Sequence, residues 1–205
     1  MKVRVSLAAA AVLLLATLPA AAQTTGQPRE SYSFLEAVRK QDGAGVNKVL
    51  QDKTSYLLNA KDPYTGEGAL HIIAKDRNQS YLGVFLAQPG IDVNLQDKQG
   101  NTPLMAAVQS GWDDGVTALL RKKANVNLPN TAGETPLIRA VLLHNYDMAR
   151  ALLDAGANPD KADYSGGLTA REYAARETRY PQIAKLLADA PKNGKSAVQA
   201  AGPRL

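Results

Sequence analysis

The sequence predicts an all-α solenoid, in which short helix-turn-helix units stack side by side and each presents a protruding β-turn loop. Three observations predict it. The octapeptide "GNTPLMAA" at residues 100–107 returns as "GETPLIRA" at residues 133–140. Thr102, Thr135 and Thr169 recur at intervals of 33 and 34, as do Gly100, Gly133 and Gly167 and the pairs Leu119-Leu120, Leu152-Leu153 and Leu186-Leu187. Phe85-Leu86 and Gly66 carry the same pattern one period, 34 residues, towards the amino terminus. A fixed period in this range marks one supersecondary unit used several times. Each unit holds two apolar faces on segments too short to be stable helices alone. Stacking must therefore supply the stability.

The chain opens with a segment that does not belong to that stack. Lys2 and Arg4 form a short basic region, residues 7–18 are apolar and uncharged, and "LPAAAQ" follows at residues 18–23 with small residues at Ala20 and Ala22. This is the pattern of a cleaved secretory signal peptide at residues 1–22. It sets the mature terminus at Gln23 and the product in the periplasm, with full secretion as the other destination. The apolar run falls short of the roughly 20 residues needed to span a bilayer. The alternative is a membrane-associated scaffold held by an uncleaved leader, with Lys192, Lys195 and Arg204 against lipid head groups. Residues 23–30 read as a flexible lead.

The folded body is expected at residues 31–190, in five units. An amino-terminal cap at 31–61 carries "FLEAVRKQDGAGVNKVL", a helix pair without a Thr-Pro start. In the unit at 62–96, Gly68-Ala69 stand where the following units have Thr-Pro. In the units at 97–129 and 130–162, Thr102 and Thr135 are placed to cap a helix through their hydroxyls. Pro103 and Pro136 then take the first helical position, where a missing N–H costs nothing. Leu104, Ala107 and Val108 form a stripe at i, i+3, i+4. "SGWDDG" at 110–115 breaks it, and Val116, Leu119 and Leu120 mark a second face, with Leu120 read as a buried contact between units. "ANVN" at 124–127 closes the unit. A carboxy-terminal cap at 163–190 repeats the start as "GLTAREYA" and ends in "IAKLLADA". Residues 191–205 have little to bury and read as a disordered tail.

These motifs resemble those of ankyrin repeats. The family pattern G-x-T-P-L-H-x-A, a paired leucine, then G-A-x-V-N is matched by "GNTPLMAA…LLRKKANVN" and "GETPLIRA…LLDAGANPD", and more loosely by "GEGALHIIA…FLAQPGIDVN". The resemblance covers about 160 residues. It implies that His71, on the histidine of the motif, ties neighbouring turns together by hydrogen bonds. Two customary glycines are replaced, by Lys123 and His144. If the first is left-handed, lysine there costs on the order of 1 kcal/mol and makes the softest joint of the stack.

The resemblance further implies a concave face built from loop tips and inner helices, whose variable positions choose a protein partner. Carried over residue by residue, these are Tyr64, Glu67, Lys75 and Asp76, with Gln96 at the end of that unit. Lys98, Gln99, Asn101, Gln109 and Ser110 follow in the next. Thr131, Ala132, Glu134, Leu142 and Leu143 complete the set. Leu142 and Leu143 share a helix with Leu137, Ala140 and Val141, and one helix cannot turn all five inward. At least one of the two leucines is therefore expected at the surface, as the apolar centre of an interface.

Composition narrows the chemistry. There is no cysteine, which excludes disulfides and thiolate chemistry. Without Lys2 and Arg4 the chain has 22 basic and 19 acidic residues, mixed along its length, which argues against nucleic acid. Two histidines with no H-x-x-x-H spacing make no zinc site. A His144–Asp147 pair could orient a general base, but no serine nearby has the setting of a nucleophile. Asn78-Gln79-Ser80 fits a glycosylation sequon. Trp112 reads first as packing across the edge of a neighbouring unit and second as a binding hot spot. The sequence predicts a monomeric, non-enzymatic protein-binding module without cofactor, metal or small-molecule substrate.

Overall fold

The computed structural model describes residues 27–52 and 56–192. The expected signal peptide and all but two residues of the expected tail lie outside the described residues. The helices are α1 Gln27–Arg39, α2 Gly43–Gln51, α3 Ala69–Lys75, α4 Gln79–Leu86, α5 Pro103–Gln109, α6 Asp113–Arg121, α7 Pro136–Leu142, α8 Tyr146–Asp154, α9 Ala170–Arg176 and α10 Pro181–Asp189. A 3-10 turn at Tyr56–Asn59 follows α2. Helix α1 begins at Gln27, inside the segment expected to be a flexible lead. Pro28 is tolerated in a first helical turn, and Glu30 there suits the helix dipole.

Two helical layers result. Helices α1, α3, α5, α7 and α9 lie side by side as an inner row, and α4, α6, α8 and α10 as an outer row behind them. The inner helices are alike because their sequences start alike. The hydroxyls of Thr102, Thr135 and Thr169 accept from the N–H of Met105, Ile138 and Glu172, three residues on. Their closest packing uses small residues: Ala74, Ala107 and Ala140 are fully buried. Phe85, Leu119 and Leu152 fill the gap between layers and are likewise inaccessible.

One expectation needs correction. Leu120 is only half-buried; Leu119 is the residue the core encloses. In the last unit the order reverses, Leu187 being buried and Leu186 half-buried. The cause is one additional residue in the turn. Residues 143–145 join α7 to α8, whereas residues 177–180 join α9 to α10. The extra residue moves α10 on by one position, so Ile183 and Leu187 take the places of Met148 and Leu152.

Left-handed backbone recurs with the unit. Gln41, Arg77, Gly111 and His144 occupy it between paired helices, Gly90, Lys123 and Gly156 after the second helix, and Gly66, Gly100, Gly133 and Gly167 in the loops. Lys123 has φ of 60° and His144 of 55°, so both glycine replacements sit where an L side chain is strained.

Candidate functional site: the inner-helix face and its loops

Each loop is built on one side chain. The Oδ1 atoms of Asp62, Asp97, Asn130 and Asp163 accept from backbone N–H groups two to five residues ahead, closing four equivalent turns. Neighbouring loops are then bonded to one another. The Lys98 N–H donates to the Thr65 carbonyl at 2.9 Å, Thr131 to Gln99 at 2.9 Å, and Tyr164 to Ala132 at 2.8 Å. The Asp163 carboxyl is held below the ordinary aspartate value, chiefly by the Tyr173 hydroxyl that donates to it at 2.6 Å. Burial is the largest single influence on Asp62 and pushes its carboxyl up. The N–H groups of Thr65 and Tyr64, with Arg39, outweigh it and bring the carboxyl below the usual value.

At the base of the loops His71 is wholly buried. Its Nδ1 accepts from the Gly68 N–H at 3.1 Å, so Nε2 carries the proton and donates to the Asn101 carbonyl at 2.9 Å. The ring thus holds the N–H of the N-cap residue and reaches into the next unit, while the His71 N–H, which a threonine cap would take, donates to the Gly68 carbonyl at 3.0 Å. A β-carbon at Gly68 would come within 2.5 Å of the Leu95 Cδ2, so a larger residue there has to displace that side chain. Burial pushes the His71 imidazole below the ordinary histidine value, against the smaller opposing pull of the Asn101 carbonyl.

The positions expected to contact a partner divide into two groups. Tyr64, Lys75, Asp76, Lys98, Gln99, Gln109, Thr131, Ala132, Leu142 and Leu143 are exposed; Gln96, Asn101 and Ser110 are half-buried. Glu67 and Glu134 are corrected: both are buried. Glu67 pairs with Lys75, and Glu134 receives Arg139 at 2.7 Å and Asn130 at 3.4 Å, so these carboxylates belong to the scaffold. Ser110 is anchored through its hydroxyl to the Ala74 carbonyl of the preceding unit at 2.9 Å.

In register across the inner helices, Lys75, Gln109, Leu142 and Arg176 form one row, and Asp76, Ser110, Leu143 and Glu177 the next. Leu142 and Leu143 are 41% and 44% exposed, which makes them an apolar step in otherwise polar rows. Beside them an open cavity of about 190 Å³ is lined by Val141, Leu142, His144, Tyr173, Arg176 and Glu177. Arg176 and Tyr173 were missed by the sequence reading, although Arg176 follows Leu142 by one period of 34. Tyr164, 71% exposed at a loop tip, was missed as well. A larger hollow of about 620 Å³ lies among α1, α2 and the 3-10 turn, with Phe34, Val49 and Leu57 among its walls.

His144 is not paired with Asp147. Its ring stacks on Tyr180 at 4.0 Å between centroids, and its Nε2 lies 3.5 Å from Glu177 Oε2. Glu177 also accepts two bonds from the Arg179 side chain, at 3.0 and 2.9 Å, and one from its backbone N–H at 3.1 Å. Those bonds, more than the nearby histidine, hold its carboxyl at about 2. The cluster fastens the turn between α9 and α10 to the end of α7 and gives no base a nucleophile. Trp112 is nearly buried, its ring lying over Gly115, where a β-carbon would come within 2.2 Å of it. Asn78 caps α4 by accepting from the Tyr81 N–H. Among the described residues no group of three His, Asp or Glu side chains is placed to hold a metal ion. No described helix is long and apolar enough to cross a membrane.

The family model for ankyrin repeats, in three copies, matches residues 34–130, 70–163 and 114–197, so the matches together run from the first helix to beyond the last.

Proposed function

The chain belongs to the ankyrin repeat family, whose members serve as protein-interaction modules, and from that premise we propose that it is an exported, non-enzymatic protein that holds one protein partner against its inner-helix face. The observation that carries this reading is the exposure of Leu142 and Leu143 together, side by side at the carboxy-terminal end of α7 and flanked by polar positions. Two adjacent leucines at over 40% exposure leave apolar surface in water, a cost that a partner relieves. The loops are fastened to each other, so Tyr64, Lys98, Gln99 and Thr131 are offered on a pre-ordered frame, which lowers the entropy cost of binding. The leader supports action in the periplasm, where the bound protein would be inhibited, protected or assembled.

Two measurements test this. Amino-terminal sequencing of the chain from periplasmic extract should begin at Gln23; recovery of intact Met1 in the membrane fraction would favour the tethered scaffold. Affinity capture from the same extract should retain a protein that a folded Leu142→Glu/Leu143→Glu variant does not. Equal capture by both would remove the inner-helix face from consideration.

A further inference from the structure

We infer that the cavity beside Leu142 is a subsite for one bulky apolar side chain that stands next to a carboxylate in the partner, so the partner docks as an acidic-apolar segment. This rests on the proposed use of the inner-helix face and specifies what that face selects. The size argues first. At about 190 Å³ the cavity is smaller than the roughly 300–1,000 Å³ of small-molecule sites. It suits a single leucine, methionine or phenylalanine side chain. Its floor is apolar, from buried Val141, exposed Leu142 and the half-buried ring of Tyr173.

Tyr173 is held in place by its hydroxyl, which donates to Asp163 at 2.6 Å. The subsite therefore has a fixed wall.

Charge decides what accompanies the apolar anchor. The carboxylates around the cavity are engaged: Glu177 in its lining, Asp163 and Glu134 about Tyr173, and Glu172 one turn from Arg176. Glu177 is gripped by Arg179 and faces His144. Glu172 accepts from the Thr169 N–H and hydroxyl at the start of α9. Arg176 lines the cavity, is exposed, and makes no hydrogen bond or ion pair with any described residue; its charge is felt by Glu172, one turn back on α9. Further along the inner helices Arg139 is held by Glu134, and Lys75 by Glu67. The rim thus offers one cation with unused donors, in a planar fork that matches a carboxylate.

The test is selection of random octapeptides displayed on phage against the purified chain, with Arg176→Glu, Arg176→Lys and Leu142→Glu/Leu143→Glu run in parallel. Circular dichroism melts confirm that each variant is folded. The parent should enrich peptides with Leu, Phe or Met within two residues of Asp or Glu. Arg176→Glu should weaken those peptides about tenfold, the factor equivalent to 1.4 kcal/mol, and enrich Lys or Arg at the same spacing. Arg176→Lys should keep the acidic preference, and the leucine variant should lose all of them. Peptides lost in the leucine variant but indifferent to Arg176→Glu would overturn the acidic specificity and leave the inner-helix face in use. Peptides indifferent to every variant, or no enrichment by the parent, would overturn both.

Discussion

A single residue in the wrong backbone region shows how the repeat tolerates departures from its own pattern. Lys123 and His144 are both left-handed where glycine is customary, yet their surroundings differ. Lys123 is exposed, so replacing it by glycine removes roughly 1–2 kcal/mol of strain, offset by roughly 0.4–1 kcal/mol of unfolded-chain entropy. Lys123→Gly should raise stability by about 0.5–1 kcal/mol in urea denaturation. His144→Gly removes the same strain but also the stack on Tyr180 and the approach to Glu177. It should be neutral or destabilising, and should speed hydrogen exchange in α9 and α10. His71 makes the third residue-level prediction. Its folded pKa lies below the unfolded value of about 6.5, so below that pH the unfolded chain takes up the proton more readily. Its contribution is complete above pH 6.5 and is lost as the pH falls through and below it. Stability should drop between pH 7.5 and pH 5, and His71→Gln, though weaker throughout, should show a flatter profile. An unchanged profile would mean that other groups set it.

At the scale of the helix, periodicity made the inner row legible and misjudged the outer one. Thr102 and Thr135 followed by proline state their own cap, and the structure has both hydroxyls accepting as such a start requires. The paired leucines state only that one face is apolar. Which of two adjacent residues points inward depends on helix rotation, which neighbouring helices decide. Leu119 is accordingly enclosed while Leu120 is half-buried, and one inserted turn residue exchanges these roles at Leu186 and Leu187. Leu119→Ala should cost about 2–5 kcal/mol, and Leu120→Ala clearly less, in the same denaturation experiment. Equal losses would put the rotation of α6 in doubt. The site was legible to the same degree. Repeat register located exposed Leu142 and Leu143, but Glu67 and Glu134 looked like surface residues because nothing local announces that Lys75 and Arg139 fold back onto them.

Across the whole molecule, contacts run almost entirely between neighbours, layer to layer and unit to unit. Stability is then close to a sum of unit and interface contributions, and damage in one unit spreads only through the interfaces it touches. The Asn-based bonds that close the outer edge follow the same rule: Asn94 Oδ1 accepts from the Asn125 N–H and Asn127 Oδ1 from the Asn158 N–H. The proposed binding surface inherits this order, since Leu142 and Arg176 lie in adjacent units and keep their spacing only while α7 and α9 stay packed. The three bonds from loop to loop, Thr65–Lys98, Gln99–Thr131 and Ala132–Tyr164, have a mechanical meaning too. Pulled from its two ends, the molecule loads its unit interfaces in series, each sharing the tension between its loop bond and its helix packing, and the weakest interface yields first. Extension would then come in steps of roughly 100 Å, the length released when one unit gives way, and the protein would behave as a spring that yields coil by coil.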